Sequence, residues 1–147
     1  MTSLANSTQV GGAHYASSIQ HWDFVASRKL GYFEGQVTKY VSRWRKKNGA
    51  QDLEKAAHFL AKLQELATQG ASTPQDTFLD LGNSPLPKIP VSYFSMANQL
   101  TVDEDTVVAL VTEWGGDLGL LDRAAAVLGR MIAEEHAAPG RNYVNQS

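Results

Sequence analysis

Apolar positions between residues 32 and 47 fall at helical spacing. Phe33, Val37, Tyr40, Val41 and Trp44 recur at steps of four, three, one and three, which predicts an amphipathic helix with one buried stripe. Asn48-Gly49 is a helix stop. A second helix is predicted over residues 51–68, burying Leu53, Ala56, Ala57, Leu60, Leu63 and Leu66, and its small alanines admit a close neighbouring helix. A shorter apolar-periodic segment with Ile19, Trp22, Phe24, Val25 and Leu30 precedes them and ends at Gly31.

Four of the five prolines lie in residues 70–90, which have no helical period and read as a linker. Helical pattern resumes near Val91. Thr101 and Glu104 predict a capping box, in which hydroxyl and carboxylate satisfy each other's free backbone N–H groups. The helix they open carries Val107, Leu110, Val111 and Trp114 and stops at Gly115-Gly116, and a last helix is predicted over residues 118–136. Strand pattern is scarce, so the chain is predicted to be all-α, a compact helical bundle. The expected organisation is an N-terminal arm (residues 1–13), a helical domain (14–69), the linker (70–90), a second helical unit (91–138) and a tail (139–147).

The two helical units align with each other. At an offset of 70, Phe24 meets Phe94, Leu30 meets Leu100, Glu34 meets Glu104, Val37 meets Val107, Val41 meets Val111 and Trp44 meets Trp114. Two residues are lost at the following turn, and at an offset of 68 Leu53 meets Leu121, Ala56-Ala57 meets Ala124-Ala125, and Leu60 meets Leu128. Amphipathic helices align in part by chance, but the tryptophans, the paired alanines and their common order go beyond that. The expected architecture is two pseudo-symmetric repeats, each covering the apolar face of the other, with Trp44 and Trp114 at equivalent core positions.

Charge separates the halves. Residues 22–67 hold nine Lys/Arg against five Asp/Glu, a net +4, whereas residues 92–135 hold two against eight, a net −6. Lys39 corresponds to Ala109, Arg43 to Glu113 and His58 to Ala126, so a functional site is expected mostly in the first half. The whole chain carries only −2, so any electrostatic function must be local. Cysteine is absent, which removes thiolate zinc sites and cysteine nucleophiles and fits a reducing interior. With no long apolar run and no signal-peptide pattern near the start, a soluble, cytoplasmic protein is expected.

Six of the thirteen Lys and Arg residues fall within residues 36–60. Lys39, Arg43 and Lys46 are spaced to share one helical face, with Lys47 close by. Either this face is simply solvated, or it holds an anion that relieves the repulsion, Arg offering a planar fork and Lys a point charge. Nucleic acid is disfavoured as a partner, because four charges on an acidic protein make a small footprint. Asp52 is either a helix-dipole residue or a group that positions Arg43 or a metal ion; His58 is either a surface histidine or a general base or phosphate donor. His14-Tyr15, after two glycines, reads as an arm that either folds over a ligand or docks on the core. No phosphate-binding G-x-x-x-x-G-K-[ST] loop, zinc-protease helix, hydrolase elbow, dinucleotide fingerprint or pyrophosphohydrolase carboxylate set is present.

His14-Tyr15, then GQVTKYVSRWRKKNG over residues 35–49, then QDLEKAAHFLAKL over residues 51–63 together resemble the SaV-like nucleotide-kinase family of bacteriophages. Its pattern is roughly H-Y, then G-N-x-x-K-Y-x-x-R-x-x-x-K-x-G, then D-L-x-K-A-x-x-[YF]-L. The resemblance covers about residues 12–67, with Gln36 where the family usually has Asn. It implies a phage-encoded nucleotide-binding protein, a nucleoside monophosphate kinase without a Walker motif, working as a homo-oligomer in the infected bacterial cytoplasm, with Mg2+ accompanying the nucleotide. It points to His14, Tyr15, Lys39, Tyr40, Arg43, Lys47, Asp52 and Lys55 as the nucleotide and phosphate-binding set. Two rival readings are a sponge that sequesters a nucleotide signal of host defence without turnover, and a module whose basic face docks an acidic host protein.

Overall fold

The computed structural model describes residues 19–70 and 87–140 of the chain. They form six α-helices: α1 (His21–Arg28), α2 (Tyr32–Arg43), α3 (Ala50–Thr68), α4 (Val91–Ala97), α5 (Val102–Thr112) and α6 (Leu118–Ala137), with a 3-10 turn (Trp44–Lys46) after α2. No strand occurs among the described residues. Helix α2 packs on α3 and α5, and α6 packs on α3 and α5, closing a four-helix ring, with the short α4 packed on α5. The chain is an all-α bundle of two repeats, α1–α3 and α4–α6.

Equivalent helices end and begin alike. Lys29 after α1 and Gln99 after α4, 70 residues apart, both adopt the left-handed conformation with φ of 53° and 55°. In each case the next two amides turn back onto the helix. Lys29 N–H and Leu30 N–H donate to Ala26 and Val25 carbonyls, and Gln99 N–H and Leu100 N–H donate to those of Met96 and Ser95. This satisfies carbonyls that a helix end leaves orphaned. The predicted capping box closes the start of α5: Glu104 N–H donates to Thr101 Oγ1 and Thr101 N–H to Glu104 Oε1. Its counterpart at α2 is Gly31, which has no side chain to offer.

The repeats are related by a pseudo-twofold axis, shown by contacts that occur twice with the partners exchanged. Trp44 Nε1 donates to Glu104 Oε2 at 2.7 Å, and Trp114 Nε1 donates to Glu34 Oε2 at 2.8 Å. Arg28 donates to the carbonyl of Ile89 at 3.3 Å, and Asn98 donates to the carbonyl of Ile19 at 3.0 Å. Phe24 meets its own counterpart, the rings of Phe24 and Phe94 stacking at 4.4 Å. Along α3 and α6, Gln64 donates to Asp122 and His136 pairs with Glu54, contacts that require antiparallel helices. Trp44 and Trp114 are both fully buried, as the repeat predicts. An isologous interface is thus built within one chain.

Two details differ from the sequence reading. The helix expected to reach residue 47 ends at Arg43, and the tighter 3-10 turn carries Arg45 into the interior and Lys46 and Lys47 to the surface. Arg45 donates through Nε and Nη2 to both oxygens of Glu104, at 2.7 and 2.9 Å, and through Nη2 to the carbonyl of Gln99. Ala57 and Leu66 are only half-buried. The Pro-rich stretch lies almost wholly outside the described residues.

Candidate functional site

Helix α2 presents its basic residues to a cleft of about 330 Å3. Lys39, Ser42 and Arg43 from α2, with Lys46 and Lys47 from the turn after it, form one wall. The residues opposite are Ile19, Gln20, His21 and Trp22 at the start of α1, with Phe94 and Asn98 from α4. No Asp or Glu is among these lining residues, so the cleft is cationic on one side and aromatic on the other. Trp22 is 56% exposed, a large apolar surface at the mouth of a charged cleft.

Arg43 is fixed from behind. Its Nε lies 3.5 Å from Oδ2 of Asp52, which is fully buried, while the arginine side chain is 34% exposed. That pair is an ion pair by distance without hydrogen-bond alignment, since Arg43 Nε is buried and has no hydrogen-bond partner among the described residues. Asp52 also accepts from Asn48 N–H and Asn48 Nδ2. This arrangement depends on Gly49, whose φ of 60° and ψ of −134° suit only glycine and let α3 start directly after the turn. Asp52 therefore lies in the first turn of α3, where the helix dipole favours a carboxylate, and also holds Arg43.

Tyr40 forms a second support. Lys39 Nζ, Arg43 Cζ and Lys55 Nζ lie 5.3, 4.8 and 5.5 Å from its ring centroid, and the ring stacks with Phe59 at 6.0 Å. Cations at these distances are attracted by the negative face of the ring, which offsets their mutual repulsion. Of the residues expected from the sequence, Lys39, Arg43 and Lys47 thus line the cleft. Tyr40, Asp52 and Lys55 do not line it but contact Lys39 or Arg43 or the same ring. His14 and Tyr15 lie outside the described residues. His58 is exposed and edges onto Phe59, apart from the cleft lining.

The sequence reading missed His21. Its Nε2 lies 2.8 Å from Thr38 Oγ1, whose single proton goes to the carbonyl of Glu34 at 3.0 Å or of Gly35 at 3.2 Å. With that proton on a carbonyl, the imidazole donates from Nε2 and keeps its lone pair on Nδ1. Burial, with help from the charges of Lys39 and Arg43, pushes its pKa from 6.5 down to about 4. At neutral pH His21 is an uncharged ring in a cationic cleft. Also missed was the second repeat's share of the site, Phe94 and Asn98. The pseudo-twofold, which brings α4 across α1, was the available signal.

Residues 10–61 match the model of a family described as a protein of unknown function (DUF3310). That span covers most of the first repeat and stops within α3, and its description assigns no activity. No curated protein and no solved structure matches the chain significantly. No helix among the described residues is long and apolar enough to cross a membrane. No cluster of three or more metal-ligating side chains occurs among the described residues.

Proposed function

We propose that the protein binds a phosphorylated nucleotide in the cleft between α1, α2 and α4. The observation that carries this reading is the concentration of Lys39, Arg43, Lys46 and Lys47 on one wall, with no carboxylate among the lining residues to neutralise them. A polyphosphate would replace their mutual repulsion with charge-assisted hydrogen bonds, Arg43 offering its fork and the lysines point charges. The exposed Trp22 offers an apolar face for a base, and the neutral His21 offers Nδ1 as an acceptor. His14 and Tyr15 belong to the set that the phage family resemblance implies, and closure of that pair over the base or sugar remains part of the proposal, as does the phage origin.

Turnover is the finer question. A nucleoside monophosphate kinase would move a phosphoryl group by positioning and charge stabilisation, with Mg2+ brought on the nucleotide. Among the described residues that line the cleft, the one titratable neutral group is His21, whose basicity is strongly suppressed, and this favours holding. A nucleotide-sequestering protein that leaves its ligand intact fits these groups better than a phosphotransferase does.

Calorimetric titration with nucleoside mono-, di- and triphosphates, and with tripolyphosphate, tests the reading. Binding that weakens with salt, drops at least tenfold in Arg43→Ala, and drops in Trp22→Ala for nucleotides but not for tripolyphosphate is expected. Undetectable binding of every probe, or affinity unchanged by Arg43→Ala, would sink it. Chromatography of the recovered ligand separates holding from phosphoryl transfer.

A further inference from the structure

The pseudo-twofold supplies a template for a second site. In one half, the Arg45 guanidinium bridges the buried Glu104 carboxylate and the carbonyl of Gln99. The residues equivalent to Glu104 and Gln99 are Glu34 and Lys29, and the residue equivalent to Arg45 is Gly115. The glutamate and the residue at the turn are therefore present twice, whereas the arginine side chain and the capping threonine occur once.

Glu34 shows the consequence. It is 1% exposed, its Oε2 accepts from Trp114, and its Oε1 is buried without a hydrogen-bond partner among the described residues. Gly115 and Lys29 line a separate cleft of about 260 Å3, together with Arg28, Leu30, Lys88, Thr112 and Glu113. A second unpartnered polar atom, Thr112 Oγ1, belongs to one of these lining residues. A buried polar atom without a partner is expensive; Thr112 lines this cleft, and the pseudo-twofold equivalence of Gly115 and Lys29 to Arg45 and Gln99 sets Glu34 behind it.

We infer that this cleft takes up an alkylguanidinium group, which would occupy the place between Glu34 and the Lys29 carbonyl that Arg45 fills in the other half. Selectivity for a guanidinium over an ammonium follows from the surroundings. Arg28 is already engaged by Glu113 at 3.3 Å and by the carbonyl of Ile89. Lys29 and Lys88 are exposed on the rim and oppose a further cation. A weakly hydrated, delocalised charge with a planar fork withstands that setting better than a compact ammonium. Burial without a counter-ion already holds the Glu34 carboxyl above its ordinary range, and an arriving guanidinium would supply the missing partner.

The indole N–H groups of the two buried tryptophans provide the readout, since Trp114 donates to Glu34 and Trp44 to Glu104. Agmatine, an arginine-containing tripeptide and butylamine are titrated at constant ionic strength while the indole signals are followed by NMR. Agmatine is expected to shift the Trp114 signal saturably, at least tenfold more tightly than butylamine, and to leave Trp44 in place as the internal control. The tripeptide arm tells a free small molecule from an arginine side chain on a partner. Glu34→Gln is expected to weaken the response at least tenfold; should that variant not fold, Thr112→Val is expected to weaken it as well. Absence of a saturable Trp114 shift, equal response to butylamine, or an unchanged response in the folded variants would overturn the inference. The cleft and both reporters lie outside the nucleotide cleft, so this result is independent of the nucleotide titration.

Discussion

The two buried glutamates occupy equivalent positions but should respond oppositely to the same substitution. Glu104 is paired with Arg45, their side chains 1% and 5% exposed. Glu104→Gln keeps a single carbonyl oxygen, which can accept from Trp44 or from Thr101 N–H but not from both in place, and it leaves a buried guanidinium without its counter-charge. Breaking one side of a buried pair in this way costs about 3–5 kcal/mol. At ~2–4 °C per kcal/mol for a chain of this size, Tm should fall by on the order of 10 °C. Glu34 has no cationic partner among the described residues, and burial raises its pKa above the usual 4.5. The unfolded carboxyl releases its proton near 4.5 while the folded one retains it, so ionisation destabilises the native state as pH rises through the raised value. Glutamine preserves the acceptor for Trp114 and removes that liability. Glu34→Gln should therefore change stability by no more than about 1 kcal/mol at pH near 4.5, and gain on wild type as pH rises. Urea unfolding followed by tryptophan fluorescence at acidic and mildly alkaline pH measures both. Equal losses in the two variants, or a difference between wild type and Glu34→Gln that does not move with pH, would refute the reasoning.

Two further outcomes follow from the same framework. His21 has a native pKa of about 4 against 6.5 unfolded, so the unfolded state takes up a proton first as pH falls. Stability should then decline from pH 6.5 towards 4, by up to ~3 kcal/mol at 1.36 kcal/mol per unit, and urea midpoints of His21→Gln across that window should lack this slope. Phe24→Ala and Phe94→Ala should each lose about 3–5 kcal/mol, and because the rings stack on the pseudo-axis a double-mutant cycle by urea unfolding should return a coupling of ~0.5–1.5 kcal/mol rather than additivity.

Much of the framework could be read from the sequence because helical periodicity and repetition are patterns of spacing. Val37, Val41 and Trp44 announce a buried stripe, and their recurrence at Val107, Val111 and Trp114 announces its duplication. The capping box was equally legible, because Thr101 and Glu104 interact within one turn. Less legible were contacts whose partners lie some 60 to 80 residues apart. Glu34 and Glu104 were aligned, yet nothing in their spacing says that each accepts from the other half's tryptophan. Arg45 is only one of six basic residues in the 36–60 stretch and nothing marked it out, although it sits four residues after the buried Val41. The basic wall of the cleft was foreseen from Lys39, Arg43 and Lys47. Its opposite wall was not, since His21 and Trp22 belong to a short helix without a motif and Phe94 and Asn98 to the other repeat.

Where the repeats depart from each other, the departures answer one another across the axis. Arg43 in the first half corresponds to Glu113 in the second, and Asn98 in the second corresponds to Arg28 in the first. On one side, Arg43 is backed by buried Asp52 and shares the cleft with neutral Asn98. On the other, Glu113 is met by Arg28 at 3.3 Å, and the two charges neutralise each other. The same pair of positions thus yields a cationic cleft once and an ion pair between the repeats once. The second repeat is more than a cover for the core, because it lends Phe94 and Asn98 to the first repeat's cleft. A single α1–α3 unit would leave the apolar face around Phe24 and Trp44 bare and the cleft without its far wall. Two such units could regain both only by pairing about a twofold axis, and this chain carries that pairing within itself.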